Sequence, residues 1–146
     1  MGVAQDQCAQ QKALLTEFLE TVWSNGDIEA SDRFIAPSYT IHNDPGDPWH
    51  GQTLTLEAFK DRVHQSRAPF PDQRFDVQEM IAEPGKVAVS WRWGGTFTGD
   101  MAGFKADGRK IAMTGLTIYS FTDGKLSGHW QLCDRLGVFQ QLSAGG

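Results

Sequence analysis

Apolar residues at Leu14, Leu15, Phe18, Leu19, Val22 and Trp23 recur at steps of three and four, which places them on one face of a helix. Asn25-Gly26 supplies a stop for that helix, and Asp27 can cap a short second one running through Phe34. Pro37 breaks the pattern. Tyr39-Thr40-Ile41-His42 then reads as a brief strand leading into a loop that holds Pro45, Gly46 and Pro48. A third helix is predicted from about Thr55, with Leu56, Phe59 and Val63 inward, Arg62 and Gln65 outward, and an end before Pro69 and Pro71.

From Arg74 the period changes to two. Phe75, Val77 and Glu79 alternate with Asp76, Gln78 and Met80; Val87, Val89, Trp91, Trp93 and Phe97 alternate with Ala88, Ser90, Arg92 and Thr96. Asp107-Gly108 and Asp123-Gly124 are turn pairs that launch two further strands, over residues 111–121 and from the second turn to Asp134. Helices followed by an antiparallel meander predict an α+β fold, one domain over residues 1–146. A curved sheet with helices packed across its concave side forms a cone. Val87, Val89, Trp91 and Trp93 should point into it, leaving Ser90, Arg92 and Thr96 on the opposite face.

Composition narrows the function. Net charge is -5 and no Lys/Arg run occurs, so nucleic acid is not an expected partner. No apolar stretch is long enough to span a membrane, and the polar start, Met1 to Gln11, lacks the apolar segment of a signal peptide. Cys8 and Cys133 have neither metal nor redox spacing, so a reduced, cytoplasmic setting is expected. Five Trp and nine Phe can fill a core or line a site for a flat hydrophobic ligand.

Few residues offer chemistry. There is no GxSxG nucleophile elbow, the lysines fall outside the apolar runs, and the glycines of residues 94–99 lack the lysine and spacing of a phosphate loop. His42, Asp44, Asp47 and His50 lie within nine residues, but turn chemistry explains Pro45-Gly46-Asp47-Pro48 better than a metal template does; no metal is expected. Asp134 ends the last strand, and counting back by twos gives Leu132, Trp130 and Gly128. A carboxylate on an apolar face would have a raised pKa suited to proton transfer; a strand-end Asp can equally point into water. Both readings stand. His42 closes a strand and opens a loop, as a structural or catalytic histidine. His129, next to Trp130, should face away from Asp134 unless a bulge intervenes.

Several short motifs fall in a familiar order: His42-x-x-Pro45, Ala68-Pro69-Phe70-Pro71-Asp72, Gly95-Thr96-Phe97-Thr98-Gly99 and Asp107-Gly108-Arg109-Lys110. Ile118-Tyr119-Ser120-Phe121-Thr122-Asp123-Gly124-Lys125, His129-Trp130, Asp134, Leu136-Gly137 and Gln140-Gln141-Leu142 follow. Over nearly its whole length the chain resembles the SnoaL-like polyketide cyclases of the NTF2-like superfamily, which includes ketosteroid isomerase and limonene epoxide hydrolase. The resemblance implies an NTF2-like cone of three helices on a curved, mainly antiparallel sheet, working without a cofactor.

It also implies cofactor-independent ring closure of a polyketide by an intramolecular aldol step, as in natural-product and antibiotic biosynthesis. Asp134 would be the acid/base, and His42 matches the histidine of the family's first loop. Tyr39, Trp91, Trp93, Phe97 and Trp130 would form the walls that fold a hydrophobic conjugated substrate. The chain departs from the family at Phe97, where a histidine is common, at Gly128, where a glutamate is, and at Ser90, where an arginine is; Arg92 lies two residues on. Such losses keep two alternatives open: a shape-driven pericyclic-type cyclase and a non-catalytic carrier of a small hydrophobic ligand. A homodimer through the face bearing Ser90, Arg92 and Thr96 is expected.

Overall fold

In the computed structural model, which describes residues 2–144, the first apolar stripe forms one helical arm. Helix α1 spans Gly2–Phe18 and runs on through a wide π turn, Leu19–Ser24. This turn brings Leu19, Val22, Trp23 and Ser24 all into the interior. Arg67 closes the arm by donating to the carbonyls of Trp23 and Ser24. Its guanidinium lies so close to Gly26 (φ +78°) that a Cβ there would sit 2.9 Å from it. A 3-10 segment, Ile28–Arg33, follows.

Strand β1 covers Ile35–Asn43, longer than the four residues the sequence suggested, and pairs with a short β2, Thr53–Thr55. Helix α2, Leu56–Arg67, starts at Thr55, whose Oγ1 accepts the Ala58 N–H at 3.2 Å. Phe59 and Val63 are fully buried, as their spacing predicted. Arg62 corrects the reading: expected outward, it is 6% exposed. Two carboxylates supplied by the loop after β1 draw it in, and it lies near the rings of Trp23 and Trp49, 5.6 and 5.8 Å from their centroids.

Strands β3 (Arg74–Glu83), β4 (Lys86–Thr96), β5 (Lys110–Thr122) and β6 (Lys125–Cys133) complete a six-stranded sheet in the order β2-β1-β6-β5-β4-β3. Every pairing is antiparallel except β1 with β6. On β4 the inward set is as expected, with Val87, Val89, Trp91 and Trp93 buried and Arg92 exposed. On β3 the simple alternation fails. A register shift between Val77 and Glu79 turns Met80 and Ala82 toward the core and leaves Ile81 68% exposed.

A helix that the apolar pattern did not show, α3 (Arg135–Ala144), follows β6. Leu142 is buried, whereas Leu136 and Phe139 are exposed, so no clean stripe marks it. Its anchor is polar. The register of β6 on β5 ends at Gly115 and Cys133, and there Asp134 N–H still reaches the Thr114 carbonyl. Beyond that point the Gln141 side-chain amide accepts from Ala112 N–H at 2.9 Å and donates to its carbonyl at 2.7 Å, standing in for a missing strand. Three α-helices on a curved six-stranded sheet give the expected α+β cone.

Candidate active site

The cone encloses the carboxylate of Asp44, which has no exposed surface. It is the first residue past β1, in a turn whose shape the sequence dictates. Gly46 adopts φ +92°, and a Cβ there would lie 2.5 Å from Arg135 Cδ, so only glycine lets that side chain cross the loop. Asp47 Oδ1 accepts the Trp49 N–H at 2.8 Å, and the Asp44 N–H donates to His50 Nδ1 at 2.8 Å.

Donors from three elements converge on Asp44. His129 Nε2 lies 3.0 Å from Oδ2, and Gln131 Nε2 lies 3.2 Å from both oxygens, each from the inner face of β6. Arg62 of α2 is 3.4 Å from Oδ2, and Arg135, at the start of α3, is 2.9 Å from Oδ1. The same two guanidinia reach Asp47 Oδ2, at 3.0 and 3.6 Å. Two carboxylates therefore face two guanidinium groups, which balances the buried charge.

The protonation states follow from this set. Burial works to raise the Asp44 pKa, but the His129 bond and the charges of Arg135 and Arg62 outweigh it and hold the carboxyl below its usual range. Burial pushes His129 down, against the pull of Asp44. His129 is thus a neutral imidazole carrying its proton on Nε2, because ionised Asp44 can only accept. Nδ1 is left as an acceptor, and Tyr39 Oη lies 2.7 Å from it. Burial also raises the Tyr39 hydroxyl well above its ordinary pKa, and raises that of Tyr119, whose ring centroid is 6.0 Å from His129.

The expected site residues divide between the two faces of the sheet. Tyr39, Trp91, Trp93 and Phe97 are interior, at 8% exposure or less. Trp93 donates to Gln73 at 3.1 Å and meets Phe70 edge-on, while Phe97 stacks on Phe70. Trp130, His42 and Asp134 are exposed. His42 alternates outward from buried Ile41 and lies over Gly128, where a Cβ would be 3.1 Å from Nε2. The apolar enclosure expected around Asp134 is not formed: Trp130 and Leu132 on its face are 38% and 51% exposed. Asp134 Oδ1 instead accepts the Gly137 N–H at 2.8 Å, capping α3.

The sequence reading missed Gln131 and Arg135, turned Arg62 outward, and set Asp44 and His129 aside. One signal was available: if Trp130 faces out, His129, Gln131 and Cys133 face in. An open groove of about 460 Å³ between α1 and the β3–β4 hairpin, lined by Cys8, Lys12 and Pro84 among others, lies away from this network.

The architecture is that of the NTF2-like cones. The family model for SnoaL-like polyketide cyclase matches residues 13–142, and the chain belongs to that family. The structure is similar to that of a protein from Acidithiobacillus ferrooxidans assigned as a polyketide cyclase. They share 48% identity at TM-score 0.91, over 94% of this chain and 96% of that one. It is also similar to IdmH from Streptomyces antibioticus, likewise assigned as a polyketide cyclase, at 28% identity and TM-score 0.79, over 92% and 99% of the two chains. No functionally curated protein matches the sequence. Among the described residues no helix is long and apolar enough to cross a membrane.

Proposed function

We propose that this chain closes a ring in a hydrophobic, conjugated polyketide of a natural-product pathway, without a cofactor, and that Tyr39, His129 and Asp44 move the proton. The buried line from Tyr39 Oη to His129 Nδ1 (2.7 Å) and from His129 Nε2 to Asp44 Oδ2 (3.0 Å) carries this reading. An intramolecular aldol closure takes a proton from a carbon flanked by carbonyls and returns one to the new alkoxide. Tyr39 Oη accepts the carbon's proton as its own passes to His129 Nδ1, and the imidazolium forms against the Asp44 carboxylate. After the carbon–carbon bond forms, the alkoxide takes a proton from Tyr39 Oη and His129 gives its Nδ1 proton back. Trp91, Trp93 and Phe97 supply flat walls that hold the chain ends together, an effect worth on the order of 7 kcal/mol or more of barrier. Tyr39 is 1% exposed, so this reading requires the cone to open before substrate can reach its hydroxyl.

Asp134, by its family position, is the competing proton carrier. Turnover of a pathway intermediate by His129→Asn and Asp134→Asn separates the two. Loss of about 10²–10⁴ in His129→Asn, with activity kept in Asp134→Asn, supports the interior line; the reverse assigns the proton to Asp134. Activity kept in both variants favours shape-driven pericyclic closure, for which the phenyl ring at Phe97 speaks. Ligand bound and released unaltered by the wild type favours a carrier.

The same reading includes a homodimer working in the cytoplasm. Ile81, Ala88, Ile118 and Trp130 form one cross-strand row on the outer sheet face, and Leu116 and Leu132 lie in the next. Four of these large residues, Ile81, Leu116, Trp130 and Leu132, are 38–68% exposed, a surface suited to a second copy.

A further inference from the structure

We infer that Thr117 and Gln131 are positioning residues, through which the indole of Trp91 sets the orientation of the Asp44 carboxylate behind His129. This rests on the proton line proposed above, of which Asp44 is the inner end.

Each hydrogen bond in the chain has a forced direction. Trp91 Nε1–H can only donate, and it does so to Thr117 Oγ1 at 2.9 Å. The single Thr117 hydroxyl hydrogen is then free to go to Gln131 Oε1, 2.7 Å away. That fixes the amide with its NH2 toward Asp44, where it meets both carboxylate oxygens at 3.2 Å. The far end makes the same demand, because a carboxylate only accepts; a flipped amide would put oxygen against oxygen. Trp91 and Thr117 are 3% and 0% exposed, so water does not compete for the first bond of the line; Gln131 is half-buried.

The line crosses the sheet from β4 through β5 to β6 and ends on the loop after β1. It begins at a ring whose place is itself fixed. The indole lies across Gly115, where a Cβ would be 2.2 Å from it. Trp91 is also one of the walls against which a flat substrate would stack. Seating a ligand on that ring would therefore act on Asp44 through three successive hydrogen-bonded steps, without touching it.

The consequence can be read at His129. The groups facing it are Tyr39 from β1, Tyr119 from β5, Asp44 and Asp47 from the loop, and Arg62 from α2. Removing the Gln131 donor leaves more of the Asp44 charge to His129, which favours the imidazolium.

The experiment titrates His129 by ¹H–¹⁵N NMR in the wild type, Thr117→Val, Gln131→Leu and Thr117→Ser, and measures kcat and KM with a pathway intermediate. The expected result is an upward move of the His129 midpoint in Thr117→Val and Gln131→Leu, restored in Thr117→Ser. With it, kcat falls by about 10² while KM holds. If Thr117→Val does not fold, Gln131→Leu decides alone. A His129 midpoint equal to wild type in the folded variants overturns the inference, whatever turnover does. A moved midpoint with no turnover by any form, wild type included, upholds the positioning line and sinks the cyclase reading instead.

Discussion

Tyr39 Oη and His129 Nδ1 stand 2.7 Å apart inside the cone, and the bond between them runs one way. Asp44 is held as a carboxylate, so His129 keeps its proton on Nε2 and offers Nδ1 as a lone pair; Tyr39 must donate. Burial keeps both groups neutral, Tyr39 by raising its pKa and His129 by lowering its own. A neutral donor is thus aimed at a neutral base with an anion behind it. The proton transfer proposed for this line needs little rearrangement of heavy atoms, and the buried neutral imidazole comes at the cost of stability in acid.

That cost gives the first prediction. His129 lies below its ordinary value of 6.5, so below that pH the unfolded chain binds more protons than the folded one. Stability falls as pH drops from 6.5 toward the folded value. Asp44 lies below its ordinary 3.8, so its contribution is present above 3.8 and is lost as pH falls through the folded value. Urea unfolding across about pH 8 to 3 should show two stages of loss, and His129→Phe should remove the first. Stability that stays flat from about pH 8 to 5 would refute the assignment of His129 as a buried neutral group.

Gly115 should not tolerate a methyl group. Its Cβ would enter the Trp91 indole at 2.2 Å, and the ring is held by its bond to Thr117. Gly115→Ala should cost about 1–3 kcal/mol and change the near-ultraviolet circular dichroism of the indoles. An unchanged spectrum at unchanged stability would show that the indole has room to move.

Much of the fold was legible because it rests on apolar periodicity. Leu15, Phe18, Val22, Phe59, Val63 and, on β4, Val87, Val89, Trp91 and Trp93 are buried where their spacing put them. The interior polar site was not legible, for a physical reason. Asp44 and Arg62 look like surface residues until one knows that the loop after β1 folds against α2 and that His129, 85 residues further along the chain, meets it there. Parity on β6 was readable but its sign was not. Hydrophobicity alone favours the face of Trp130, which is large and apolar, for the interior, while His129 and Gln131 hold the interior through hydrogen bonds. Helix α3 escaped because its anchor is the Gln141 amide rather than a stripe.

Asp134 supports a prediction of stability whatever its part in catalysis. It caps α3 through the Gly137 N–H, so Asp134→Ala should cost about 1 kcal/mol, while Asp134→Asn, an equally good cap, should cost a few tenths. Urea denaturation of the two variants checks this. Equal losses would mean that the charge of Asp134, not its capping geometry, holds the helix.

The outer apolar row predicts assembly. Trp130→Lys and Ile81→Lys each place a charge on a face that is proposed to pack against a second copy. Both should shift the sedimentation mass from dimer to monomer at micromolar concentration without changing the circular dichroism. A wild type that sediments as a monomer would remove the dimer.

The last prediction compares the two arginines that hold the loop. Arg62 and Arg135 bind the same two aspartates, but their side chains are 7% and 31% exposed. Removing one partner of a buried pair leaves the other charge stranded, at about 3–5 kcal/mol; an arginine that is itself partly in water is screened and contributes less to the same carboxylates. Asp44 keeps His129, Gln131 and the second arginine in either variant, so the lower end of that range applies. Arg62→Met should therefore lose about 3 kcal/mol near neutral pH and Arg135→Met about 1 kcal/mol. The acid limb supplies an independent check. Without Arg62 the Asp44 carboxyl is held down less firmly, so the loss of stability below pH 3.8 should shrink along with the total. A deficit in Arg135→Met equal to that in Arg62→Met would place the weight of the loop on α3 rather than on the buried contact with α2.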